Sequence, residues 1–128
     1  MPETAQLSAA ELAGKLEASE PLFILDVRNS EEYEAWRIAG AEPVPDFNVP
    51  YFVILEDEEG ELAKVPWDAM QGRLVVVVCA KGGASDYVAE LLRARGVAAT
   101  NLAGGTRALR AYLDAVASAR EPGAAGAS

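Results

Sequence analysis

Histidine is absent from this 128-residue chain, and cysteine occurs once, as Cys79. A single thiol cannot close an internal disulfide. Without imidazole there is no Cys–His nucleophile pair and no histidine-containing metal site, so no metal is expected. Basic side chains are also scarce: 11 Lys and Arg stand against 20 Asp and Glu, for a net charge of -9. Neutralising a phosphate backbone requires clustered cations, so this balance excludes a general nucleic-acid surface. The acidic excess reads as a solvated face. No run of about 18 uninterrupted apolar residues exists. The N-terminus MPETAQLSAAELAG has no basic region leading into an apolar one. Neither a membrane span nor a signal peptide is therefore expected, and the expected compartment is the cytoplasm.

What is present suits one domain with its own core, since 51% of the residues are hydrophobic. Ser8 and Glu11 form a capping-box pattern, flanked by Leu7 and Leu12 as a hydrophobic staple, which predicts a helix over 9–18 that ends before Pro21. Leu22 to Val27 is a short apolar run that reads as a strand buried on both faces. Asn29 with Glu32 caps a short helix to about Trp36. Residues 38–45 are turn-rich around a brief strand. Val49 to Leu55 fits either a helix turn or a strand, with helix preferred, and 56–61 is an acidic surface connection.

Leu74 to Cys79 is the strongest strand, β-branched and without a charged side chain, and belongs at the sheet centre. After a loop containing Gly82 and Gly83, Ser85 to Arg95 sets Val88, Leu91 and Leu92 on one helical face, and Gly96 stops the helix. Ala98 to Leu102 is a further strand, and Gly104–Gly105 turns into a final helix over 106–117. Residues 1–6 are expected to be flexible, 7–118 to form the domain, and 119–128 to be a disordered tail or the start of a linker. Strands alternating with helices imply a largely parallel sheet covered on both faces, with ligands at the carboxyl ends of its strands.

Cys79 lies at such an end. A cysteine inside Val75 to Val78 would read as packing, but the loop after Cys79 can curl its amides around the sulfur. Together with the helix that follows, those amides lower a thiol pKa without histidine. Phosphatases of the Cys-x5-Arg kind need a guanidinium six positions after the cysteine, and that position is Ser85. A short amide-lined loop fits a small anionic persulfide sulfur instead.

These features resemble a single rhodanese domain. The resemblance is carried by Leu25-Asp26-Val27-Arg28, Glu31-Glu32-Tyr33, Arg37-Ile38-Ala39-Gly40-Ala41, Val75 through Ser85, and Asn101-Leu102-Ala103-Gly104-Gly105, in that order. It implies a three-layer α/β/α fold around a largely parallel sheet of about five strands. It further implies a sulfurtransferase in which Cys79 is the nucleophile and Ala80, Lys81, Gly82, Gly83, Ala84 and Ser85 bind the transferred sulfur. Lys81 would hold the sulfonate end of thiosulfate. Ala80 and Ala84 stand where related sequences carry arginine, which leaves Lys81 as the loop's sole cation. Asp26 and Arg28 are expected to form a supporting ion pair, and Tyr33, Trp36 and Trp67 to pack.

The implied reaction moves a sulfane sulfur from thiosulfate or a persulfide to a thiol or cyanide acceptor and requires no cofactor. An alternative is a sulfur-relay or regulatory module with little turnover, passing sulfur to a protein acceptor or to a fused or adjacent domain. The loop also resembles the rhodanese half of proteins fused to a metallo-β-lactamase-like domain. A third possibility is an inert binding domain, in which Cys79 would be unreactive.

Overall fold

The computed structural model describes residues 6–40 and 42–120. Ala41, and the expectations for the N-terminal segment 1–5 and the tail 121–128, lie outside the described residues. In chain order the elements are β1 (Gln6–Leu7), α1 (Ala9–Glu17), β2 (Leu22–Asp26), α2 (Ser30–Ala35), β3 (Asp46–Asn48) and α3 (Tyr51–Glu56). They continue with α4 (Glu58–Ala63), α5 (Trp67–Met70), β4 (Leu74–Val78), α6 (Gly83–Ala94), β5 (Ala99–Leu102) and α7 (Gly105–Arg120). The five strands form one parallel sheet in the order β1-β5-β4-β2-β3.

The alternation along β4 explains the layering. Val75 and Val77 face a core with Val88, Ala89 and Leu92 of α6, Ile54 of α3 and Leu62 of α4. Val76 and Val78 face the opposite core with Leu12 and Leu16 of α1, Leu102 of β5 and Leu109 of α7. Covering both faces is what makes the strand sequence uniformly apolar, and each fully buried Val or Leu contributes roughly 1.5–3 kcal/mol. The result is the expected three-layer α/β/α domain around a parallel sheet.

Local chemistry sets the helix starts. Glu11 N–H donates to Ser8 Oγ at 3.0 Å and Ser8 N–H to Glu11 Oε1 at 2.8 Å, so the capping box is complete. Glu32 N–H donates to Asn29 Oδ1 at 2.8 Å and opens α2. The preference for helix after Val49 is met by α3.

Four expectations are corrected. The acidic stretch 56–61 is largely helical, because Asp57 accepts from Gly60 N–H at 3.1 Å and caps α4. The brief strand falls at 46–48, where pairing with β2 decides it, rather than within 38–45. The helix after Cys79 begins at Gly83 instead of Ser85, with Gly82 at φ 104 as its N-cap. The last helix runs to Arg120 rather than 117. β1 and α5 had no counterpart in the sequence reading: two- and four-residue elements carry too little periodicity to register. Among the described residues no helix is long and apolar enough to cross a membrane.

Candidate active site

Three chain segments converge at the carboxyl edge of the sheet. Val27 N–H donates to Val78 O at 2.8 Å, extending the β2–β4 ladder so that Val27 and Arg28 run beside Cys79. Tyr51 N–H donates to Val27 O at 2.9 Å and brings the start of α3 against the same edge.

The loop after β4 is held from behind. Thr106 N–H donates to Cys79 O at 2.8 Å and Arg107 N–H to Ala80 O at 3.1 Å, so the first turn of α7 takes up both carbonyls. This approach requires glycine. At Gly105, with φ +67, a Cβ would lie 2.4 Å from Cys79 O and from the Ala80 carbonyl. At Gly82 a Cβ would lie 2.9 Å from Gly104 N. With its carbonyls engaged by α7, the loop turns its N–H groups the other way, onto the sulfur.

Cys79 Sγ accepts from Gly82 N–H at 2.9 Å and from Ser85 N–H at 3.4 Å, and the Ser85 hydroxyl lies 3.2 Å away. Cys79 is 7% exposed, so Sγ sits just beneath the surface at the N-terminus of α6. Burial pushes the thiol pKa up. The Ser85 hydroxyl and the amides of Ser85, Gly82 and Lys81 outweigh that burial and hold it below the ordinary thiol value.

Ser85 and Asn101, which are 0% and 1% exposed, complete the base of the cradle. The Ser85 hydroxyl hydrogen-bonds to Asn101 Oδ1, and Asn101 Nδ2 donates to Gly82 O at 3.0 Å. Sequence reasoning placed Asn101 in a motif but gave it no task. The available signal was a carboxamide in the middle of a strand, Ala99–Leu102, that is buried throughout.

Above Sγ opens a cavity of about 480 Å³ lined by Val27, Arg28, Glu32, Phe52, Lys81 and Ala84, among others. Lys81, Gly83, Ala80 and Ala84 are thus gathered at its mouth, whereas Gly82 and Ser85 act on the sulfur from below. Arg28 contributes little free charge. Its Nε and Nη2 grip the Asp26 carboxylate at 3.0 and 2.7 Å, and the two side chains are 4% and 1% exposed. Arg28 Nη2 also reaches Trp36 O at 2.5 Å, tying the end of β2 to the end of α2. Phe52, 56% exposed, forms an apolar lip.

Tyr51 also lines the cavity, whereas Trp67, Tyr33 and Trp36 pack elsewhere. The Trp67 indole donates to Leu62 O at 3.0 Å, Arg37 stacks 4.6 Å over Tyr33, and Arg110 stacks 4.9 Å over Trp36.

The class so defined is a parallel α/β domain whose single cysteine sits in an amide cradle at the end of the central strand, where the N–H donors favour the thiolate form. The family model for the rhodanese-like domain matches residues 8–112, and the chain belongs to that family. It is 30% identical over 109 residues to "Adenylyltransferase and sulfurtransferase MOCS3-2" of Zea mays, a match covering 84% of this chain but 21% of that protein. A second maize protein, "Adenylyltransferase and sulfurtransferase MOCS3-1", is 29% identical over the same span and 22% covered. The chain therefore spans about a fifth of the length of these curated relatives. Among solved structures, a rhodanese-like domain protein from Staphylococcus aureus superposes with a TM-score of 0.62 at 28% identity, covering 83% of this chain and 91% of that one.

Proposed function

We propose that this domain is a sulfurtransferase that carries a sulfane sulfur on Cys79. The observation that carries this reading is the cradle of Gly82 N–H, Ser85 N–H and Ser85 hydroxyl around Sγ, at distances of 2.9, 3.4 and 3.2 Å. These donors favour the thiolate, which attacks the outer sulfur of a donor R–S–SH. The new bond is Cys79 Sγ–S, the bond broken is the donor's S–S, and the electron pair leaves on R–S⁻. With thiosulfate the leaving group is sulfite. An acceptor thiolate or cyanide then takes the outer sulfur and restores the Cys79 thiolate. The loop amides suit the terminal persulfide sulfur, and no residue need act as a base once the thiolate is present.

The charge balance of the cavity favours an organic persulfide over thiosulfate. Arg28 is neutralised by Asp26, and Lys81 shares the cavity with Glu32 and with the apolar Val27, Phe52, Ala80 and Ala84. A dianion gains little there, whereas an apolar body is covered. We assign the working domain to residues 7–118 and place it in the cytoplasm.

The test is sulfur transfer from glutathione persulfide and from thiosulfate to cyanide or a thiol, beside Cys79→Ser. Turnover well above the variant's, faster with the persulfide, is expected; wild-type turnover equal to that of Cys79→Ser overturns the reading. A second reading, a relay module that passes sulfur to a protein acceptor or an adjoining domain, is favoured by the fifth-length match to larger relatives. Under it, Cys79 gains one sulfur by mass on mixing with persulfide while small acceptors discharge it slowly.

A further inference from the structure

One proton and two acceptors meet at Ser85. Its hydroxyl contacts both Cys79 Sγ, at 3.2 Å, and Asn101 Oδ1, and all three residues are buried. The orientation of the Asn101 carboxamide is fixed independently, because its other end lies 3.0 Å from Gly82 O, a position only an N–H₂ donor can occupy. Oδ1 must therefore face Ser85, and it can only accept. A single hydroxyl proton cannot satisfy Oδ1 and Sγ at once.

We infer that Asn101 is a positioning residue for Cys79: its carboxamide oxygen holds the Ser85 proton while Cys79 is a thiol and yields it to the sulfur when the thiol ionises. In the thiol form, S–H donates to Ser85 Oγ and Ser85 O–H donates to Asn101 Oδ1. On ionisation the thiol proton leaves to solvent. Sγ becomes an acceptor only, and the hydroxyl turns toward it because a hydrogen bond to an anion outweighs one to a neutral amide. Asn101 Oδ1 is then left without its donor.

Asn101 thus stabilises the thiol against the thiolate. Once Sγ carries a second sulfur, the charge moves outward to the terminal atom, Sγ is a poor acceptor again, and the hydroxyl returns to Asn101. The same residue therefore favours the loaded cysteine over the empty thiolate. This last step rests on the sulfur-carrying reading; the proton sharing does not.

The charged or titratable side chains lining the cavity above the thiol are Lys81 on the loop, Arg28 after β2, Glu32 on α2 and Tyr51 on α3, with the Asp26 carboxylate of β2 behind Arg28 as its ion-pair partner. None of them hydrogen-bonds to Sγ among the described residues. The local hydroxyl and amide donors set its ionisation.

The test is the Cys79 pKa, read from the pH dependence of alkylation by iodoacetamide, in wild type, Asn101→Leu, Ser85→Ala and the double variant. Without its acceptor the hydroxyl serves sulfur alone, so Asn101→Leu is expected to lower the pKa by about 0.5–1 unit. Loosening of the Gly82 anchor acts in the opposite direction, since it weakens an amide donor. Ser85→Ala is expected to raise the pKa, and in that background Asn101→Leu should no longer lower it. An unchanged or raised pKa in Asn101→Leu, or a fall that persists undiminished in Ser85→Ala, overturns the inference. Should Asn101→Leu fail to fold, Asn101→Asp takes its place. A rise that is larger with Ser85 present than in Ser85→Ala is then expected, and an equal rise refutes the sharing. Persulfide loading of the wild type is followed separately by mass, so a chain that never gains sulfur overturns the proposed activity and leaves the pKa cycle to decide the role of Asn101.

Discussion

Replacing Gly105 by alanine is expected to unlatch the cradle, and the size of the effect can be worked from its surroundings. The residue sits at φ +67, where an L side chain costs roughly 1–2 kcal/mol. Its Cβ would also lie 2.4 Å from Cys79 O and from the carbonyl carbon and oxygen of Ala80. Ordinary carbon contacts are about 3.5–4 Å, so the loop and the α7 turn must separate by about 1 Å. That separation weakens the bonds from Thr106 N–H and Arg107 N–H to the loop carbonyls, each contributing about 0.5–1.5 kcal/mol. The expected loss is about 2–5 kcal/mol, a fall in melting temperature of roughly 8–20 °C for a domain of this size. Gly72→Ala is the control: its φ is +75 but nothing lies within 4 Å of the added Cβ, so only the conformational cost of about 1–2 kcal/mol applies. Thermal unfolding by circular dichroism reads both. If Gly105→Ala melts alongside Gly72→Ala, the backbone latch is not what holds the loop.

The lowered Cys79 pKa makes stability depend on pH with a definite sign. The contribution is fully present above the ordinary thiol value of about 9.0 and is lost as pH falls through the folded pKa. Urea titrations across that window should show wild-type stability climbing with pH and a flatter profile for Cys79→Ala. Asp26→Ala, by leaving the Arg28 guanidinium buried without its carboxylate, is expected to cost about 3–5 kcal/mol in the same titrations. Phe52→Ala should leave stability within about 0.5 kcal/mol, because the ring is 56% exposed. It should nevertheless raise KM for an organic persulfide more than for thiosulfate. Lys81→Ala should do the reverse, and a uniform effect on both donors would remove sulfonate binding from its role.

Much of the architecture was legible because the sequence states it twice. Leu22–Asp26 and Leu74–Val78 are apolar on both faces, and Ser8 and Asn29 mark helix starts with side-chain acceptors that the structure uses. The short pieces were not. Gln6–Leu7 becomes a strand only because β5 is there to pair with it, and Glu58–Ala63 becomes a helix through one Asp57 cap in a run that reads as solvated charge. At the candidate site, the position of Cys79 and the close-approach glycines of its loop were visible in the chain. The task of Gly105 was not, because a contact between two backbones leaves no side-chain pattern. Asn101 was visible only as an oddity, since its two partners, Gly82 and Ser85, lie 19 and 16 residues away.

The grip of α7 on the loop also orders events in time. The carbonyls of Cys79 and Ala80 are taken up by amides that lie beyond β5 in the chain, at Thr106 and Arg107. A growing polypeptide that has already laid down its central strand still carries an unremarkable sulfhydryl. A chain whose C-terminal helix has not docked is therefore expected to alkylate more slowly at near-neutral pH, and that rate would report completion of the fold.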